Sequence, residues 1–149
     1  MNNAANVKQL LINLVKITSS PVYAACYEIA AYIELNPFQR DLTIGGLRAA
    51  LKRSPQDDNI LIQAAFTLAA HPFQAFEVRY RLYDEEISNV LEELETSKYL
   101  EAKSVGHFID VEGNIIPINE LDSRAFPYFI NKLEYNIEAK PSSLTRARL

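Results

Sequence analysis

His71 and His107 are the only imidazoles of the chain, and Cys26 is its only thiol. An imidazole works as general acid, general base or metal ligand only with a partner that orients it. His71 immediately precedes Pro72 at an expected helix end, where a cation complements the helix dipole. His107 falls in an alternating stretch and reads as a strand residue. No motif places a Cys or a carboxylate beside either one. Cys26 lies in VYAACYEIAA (residues 22–31) and reads as core. Asp57-Asp58 and Asp84-Glu85-Glu86 lack the ligand alternation of a calcium loop. No Gly-rich phosphate loop, zinc spacing or nucleophile elbow occurs. The expectation is a non-enzymatic chain without cofactor or metal.

Charge is more informative than catalytic chemistry. The net charge is −4, yet residues 57–122 hold fourteen acids against four Lys/Arg, with basic excess on both sides. Such a segment suits a partner with a basic surface. The residues expected to meet a protein partner are Asp84, Glu85, Glu86, Glu92 and Glu93, with Tyr128 of the FPYF run (126–129) as an exposed aromatic anchor. The competing candidates are basic. Arg40, Arg48, Lys52 and Arg53 form one group, and Arg79 and Arg81 lie on the strand that follows, where they would contact phosphate.

These residues need elements to hold them. Val7, Leu10, Leu11, Leu14 and Val15 predict a helix over 4–18. Ser20 and Pro21 cap and open a second helix over 21–35, ended by Asn36-Pro37. A short strand or cap at 42–44, a helix carrying Leu47 and Leu51, a turn at 54–58 and a helix from Asn59 to His71-Pro72 follow. Residues 75–83 alternate strictly and predict a strand. Ile87, Val90, Leu91 and Leu94 sit at i, i+3, i+4 and i+7, predicting a helix over 85–96 capped by Asp84. Residues 105–118 predict a hairpin turning at Glu112-Gly113-Asn114. A last helix is expected over 119–136, divided or delayed by Pro127, then a tail from 141.

The stretch LTIGGLRAALKRSPQDDNILIQAAFTL (42–68) resembles a helix-turn-helix, with Leu47 and Leu51 on one helix, Ser54-Pro55 in the turn, and Ile60, Ala64 and Leu68 on the next. With the strand after it, the region is similar to a winged-helix domain over about half the chain. The resemblance implies that the second helix would enter a DNA major groove with its leading residues at the bases. Those residues are Gln56, Asp57, Asp58, Asn59 and Gln63, and two leading carboxylates repel phosphate.

At 149 residues with 48% hydrophobic content, the chain is long enough for one domain with its own core. The expected fold is α+β and mainly helical: an N-terminal helical pair (1–36), a winged-helix-like part with a short antiparallel sheet (40–136), and a tail (141–149). No apolar run reaches membrane-spanning length. A single cysteine suits a reducing, cytoplasmic compartment. The leading expectation is a protein-interaction module (an adaptor, inhibitor or assembly subunit), with self-association through the N-terminal helix as a further possibility. The alternative is a winged-helix DNA-binding regulator.

Overall fold

The computed structural model describes residues 3–133, and its first helices start at side-chain caps. The Asn3 carboxamide accepts from the Asn6 amide as α1 (Ala4–Thr18) begins, and the Ser20 hydroxyl accepts from the Val22 amide as α2 (Pro21–Leu35) begins. Such caps satisfy amides that the first helical turn leaves without partners. β1 (Asp41–Leu42) follows, then α3 (Ile44–Ala50), whose cap Thr43 accepts from the Gly46 amide. A single 3-10 turn at Pro55–Asp57 leads into α4 (Asp58–Ala69). Val7 and Leu11 of α1, Ile29 and Ile33 of α2, and Leu61 and Leu68 of α4 pack into one buried cluster.

β2 (Phe76–Tyr83) takes the alternation its sequence predicts and uses one face for two purposes. Phe76 and Val78 pack on the helical cluster. Tyr80 and Leu82, further along the same face, pack on a second cluster with Tyr99, Ala102, Ile116 and Leu121. That second cluster is supplied by α5 (Thr96–Val105), the small sheet of β4 (His107–Ile109) and β5 (Ile115–Pro117), and α6 (Ile118–Arg124). With β3 (Val90–Glu95) and β6 (Ala125–Asn131), the main sheet has the order β1-β6-β2-β3, antiparallel throughout. The described residues thus form an α+β fold, mainly helical, with a four-stranded and a two-stranded sheet.

One expected helix is mostly strand, and another becomes strand over its later part. The helix expected over 85–96 is a turn followed by β3, and the helix begins only at Thr96. Leu and Glu favour helix and the apolar spacing was helical, but the exposed side of β2 offered an antiparallel partner, and pairing overrode propensity. Asp84 still uses its carboxylate on nearby amides, accepting from Glu86 and Ser88, and so closes a hairpin turn instead of opening a helix. The helix expected over 119–136 is α6 followed by β6, whose aromatic run favours strand. β1 reaches only Phe129 and Ile130 of β6, so one flank of the strand is unpaired at Pro127, where a residue lacking N–H is tolerated. The expected hairpin at 105–118 is present as β4–β5. The end of the helix expected to 136 and the tail from 141 lie outside the described residues.

Candidate protein-binding surface

The sheet register gathers the charged residues. Arg79 lies beside Glu95 of β3 and Tyr128 of β6, and Arg81 lies beside Glu93 and Phe126. These residues occupy the face of β2 opposite both buried clusters, together with Glu77 and Tyr83. Arg81 donates to Asp41 and to Glu93, each at 3.1 Å, and its guanidinium stands 4.0 Å above the Tyr128 ring. Arg79 donates to Glu77 at 2.8 Å. Nearer the hairpin end, Tyr83 meets Phe126 edge to face at 5.7 Å.

Tyr128 is only 2% exposed, so the expectation of an exposed anchor there is corrected. The sheet holds its ring beneath the arginines, and burial pushes its phenol above the usual range. Phe126, two residues earlier on the same face, is 44% exposed. On α1, where self-association was expected, Val7 and Leu11 are buried within the chain while Leu10 and Ile17 are 40% and 78% exposed.

The acidic residues separate by what they already hold. Asp84 serves its own turn, with backbone and side-chain bonds from Ser88 and Asn89 holding its carboxyl below the usual range. Glu93 is engaged by Arg81. Glu85 and Glu86 are exposed on the turn, Glu95 is exposed on β3, and none of them has an ion pair among the described residues. Glu92 lies on the opposite face of β3, beside Leu82, and one of its carboxylate oxygens is buried without a hydrogen bond. Between these acids, Ile87, Val90 and Leu91 are 43%, 45% and 49% exposed.

The basic candidates are mostly neutralised from within. Arg53 forks onto Glu28 at 3.1 and 2.8 Å and reaches Asp57, tying α2 to the start of α4. Arg48 donates to Asp58 at 2.6 Å. The two acids that would lead a groove-reading helix are therefore ion-paired, Asp58 to Arg48 of α3 and Asp57 to Arg53 in the turn after it. Arg40 and Lys52 remain exposed and without an ion pair among the described residues.

Sequence reasoning missed Arg124. It is 8% exposed, donates to the Tyr83 carbonyl at 2.9 Å and pairs with Glu120 at 2.6 Å. It thereby fixes the last residue of β2, from which the acidic turn projects. Its only sequence signal was a lone arginine before an aromatic run. Tyr80 stacks on Tyr99 at 4.1 Å and 18°, and the Tyr99 hydroxyl donates to Asp122, so the second cluster braces the same hairpin.

Conventional reactive groups lie elsewhere. The Cys26 thiol is buried, donates to the Ala64 carbonyl at 3.4 Å, and is pushed up to about 12 by burial. His107 lines a cleft of about 310 Å³ between α5 and β4, with Lys98, Glu101 and Phe108. Among the described residues no three His, Cys, Asp or Glu converge as a metal site, and no helix is long and apolar enough to cross a membrane. The chain matches no family model, no curated protein and no solved structure.

Proposed function

We propose that this chain is a non-enzymatic protein-interaction module that recognises a basic partner surface through its β2–β3 hairpin. One observation carries this: Glu85, Glu86, Glu92 and Glu95 have no cation within the described residues, while Arg48, Arg53, Arg79 and Arg81 are already occupied. Unmatched like charge on a braced hairpin raises the association rate and the selectivity for a partner of opposite sign. The exposed Ile87, Val90 and Leu91 supply apolar area among the acids. A cytoplasmic location belongs to the same proposal, supported by a lone, buried cysteine.

The winged-helix resemblance supports a DNA-binding regulator less well, because Asp57 and Asp58 cover the arginines that would face phosphate. Fluorescence anisotropy with a labelled oligolysine and a labelled random duplex, at about 50 and 200 mM salt, separates the two readings. The expected result is salt-sensitive binding of oligolysine, lost when Glu85, Glu86, Glu92 and Glu95 are all changed to Gln. Salt-sensitive binding of the duplex, abolished by Arg40→Ala with Lys52→Ala, would overturn the proposal in favour of DNA.

A further inference from the structure

β3 is the last strand of the main sheet, so among the described residues one side of its backbone has no strand partner. A free edge is a template for another chain, and natural proteins guard such edges with charge, bulges or covering elements. β3 carries two guards. Three of its six residues are glutamate, and Leu91 forms a bulge where the pairing with β2 shifts between Leu82 and Tyr83. The glutamates discourage an uncharged or acidic strand but not a basic one, while the bulge at Leu91 interrupts pairing whatever the incoming charge.

We propose, building on the reading above, that the free edge of β3 takes an extended basic segment of a partner protein as a fifth antiparallel strand. Antiparallel pairing continues the pattern of the whole sheet and is the more stable mode per residue. Residues directly opposite in such a pair share a face. Glu95 and Glu93 lie on the face of Arg79 and Arg81, and Val90 lies on the face of Tyr83. The incoming strand therefore presents Lys or Arg opposite Glu95, Lys or Arg again two residues later opposite Glu93, and an aliphatic residue two further on, over Val90 and Leu91. Its motif is basic-x-basic-x-aliphatic. The residue between the second basic and the aliphatic position turns to the other face, where Glu92 has a carboxylate oxygen without a hydrogen bond.

A second copy of this chain fits the edge poorly. Antiparallel β3 pairing about a two-fold axis sets a strand that is half glutamate against itself, and like charges directly opposite are destabilising. Main-chain bonds give affinity in strand addition and alternate side chains give selectivity.

The test uses a fluorescent peptide, Lys-Thr-Lys-Thr-Val-Thr, acetylated and amidated, and two versions carrying N-methyl groups on its odd or its even residues. A strand at an edge turns only alternate amides toward its neighbour. The expected result is that one methylated peptide binds at least about tenfold more weakly than the parent while the other stays within about threefold, since each lost hydrogen bond removes a modest share of affinity. Equal binding by all three peptides, or equal loss in both methylated ones, would overturn strand addition while leaving the acidic-surface reading intact if oligolysine still binds. Loss of binding by the peptide and oligolysine together would remove both. A concentration-dependent dimer that the peptide dissociates would give the edge to a second copy and overturn the basic-segment assignment.

Discussion

The Arg81 guanidinium lies 4.0 Å above the ring of Tyr128 while donating to Asp41 and Glu93, each at 3.1 Å. One side chain on β2 thereby reaches over β6 to β1 and out to β3, touching every strand of the sheet. A cation over an aromatic face contributes about 0.5–2 kcal/mol, and the two partly exposed ion pairs add at most about 1 kcal/mol each. Arg81→Ala is expected to lower unfolding free energy by about 1–2 kcal/mol in urea titration. Arg81→Lys recovers part of the charge effect and little of the planar stacking. Tyr128→Ala is expected to cost more, about 3–5 kcal/mol, as for a large buried ring. A Tyr128→Ala protein with unchanged melting temperature would contradict the burial described.

Ile87 has a backbone φ of 56°, and its amide donates to the Asp84 carbonyl at 3.0 Å. A β-branched residue in that region costs about 1–2 kcal/mol, whereas Asn adopts it more readily. Ile87→Asn is expected to raise stability by about 0.5–1 kcal/mol. It also removes an exposed apolar side chain beside Glu85 and Glu86, so partner affinity is expected to fall as stability rises. A chemical denaturation curve and a peptide titration on the same variant measure the two effects separately.

Arg124→Ala is expected to destabilise by about 2 kcal/mol, the value of a charge-assisted bond to a partly buried carbonyl plus an ion pair. Its local effect is distinctive. The Tyr83 carbonyl loses its donor, and amide hydrogen exchange is expected to accelerate at residues 83–90 before it changes in α1 or α2. Uniform acceleration would mean that Arg124 holds the whole fold and not the hairpin.

Cys26 is buried as a neutral thiol, raised by desolvation from an ordinary 9.0 to about 12. Because the folded value lies above the unfolded one, its contribution to stability is whole below 9.0 and declines as pH rises from there toward about 12. Iodoacetamide is therefore expected to leave native protein unmodified at pH 8 and to label it fully in concentrated urea. Labelling at equal rates would place the thiol at the surface.

Asp57→Asn combined with Asp58→Asn releases the Arg48 guanidinium and one contact of Arg53. The double variant is expected to gain salt-sensitive affinity for duplex DNA that the parent lacks, read by anisotropy at about 50 mM salt. No gain would mean that the acids do not mask this face.

The chain's own residues announced the Ser20 cap and its first four helical segments clearly. Ser20-Pro21 and the alternation of 76–83 state their structure locally, and the structure agrees. The 85–96 segment did not, because Ile87, Val90, Leu91 and Leu94 satisfy a helical period equally well. Only the presence of β2 decides between them. The candidate surface was partly legible for the same reason. Acidity at 84–93 was visible in composition, but Arg81 already holds one carboxylate oxygen of Glu93 and covers Tyr128, and both depend on which strands become neighbours. Glu95 and the edge position of β3 had no local signal.

β6 has a consequence in time. Phe129 and Leu133 belong to the same buried cluster as Ala4, Val7 and Leu11, and among the described residues β1 finds its only strand partner in β6. A ribosome adding roughly 5–20 residues per second takes several seconds to pass from α4 to the end of β6. Throughout that interval the inner faces of α1, α2 and α4 have been made but not sealed. The interval closes only when the last described strand slides between β1 and β2.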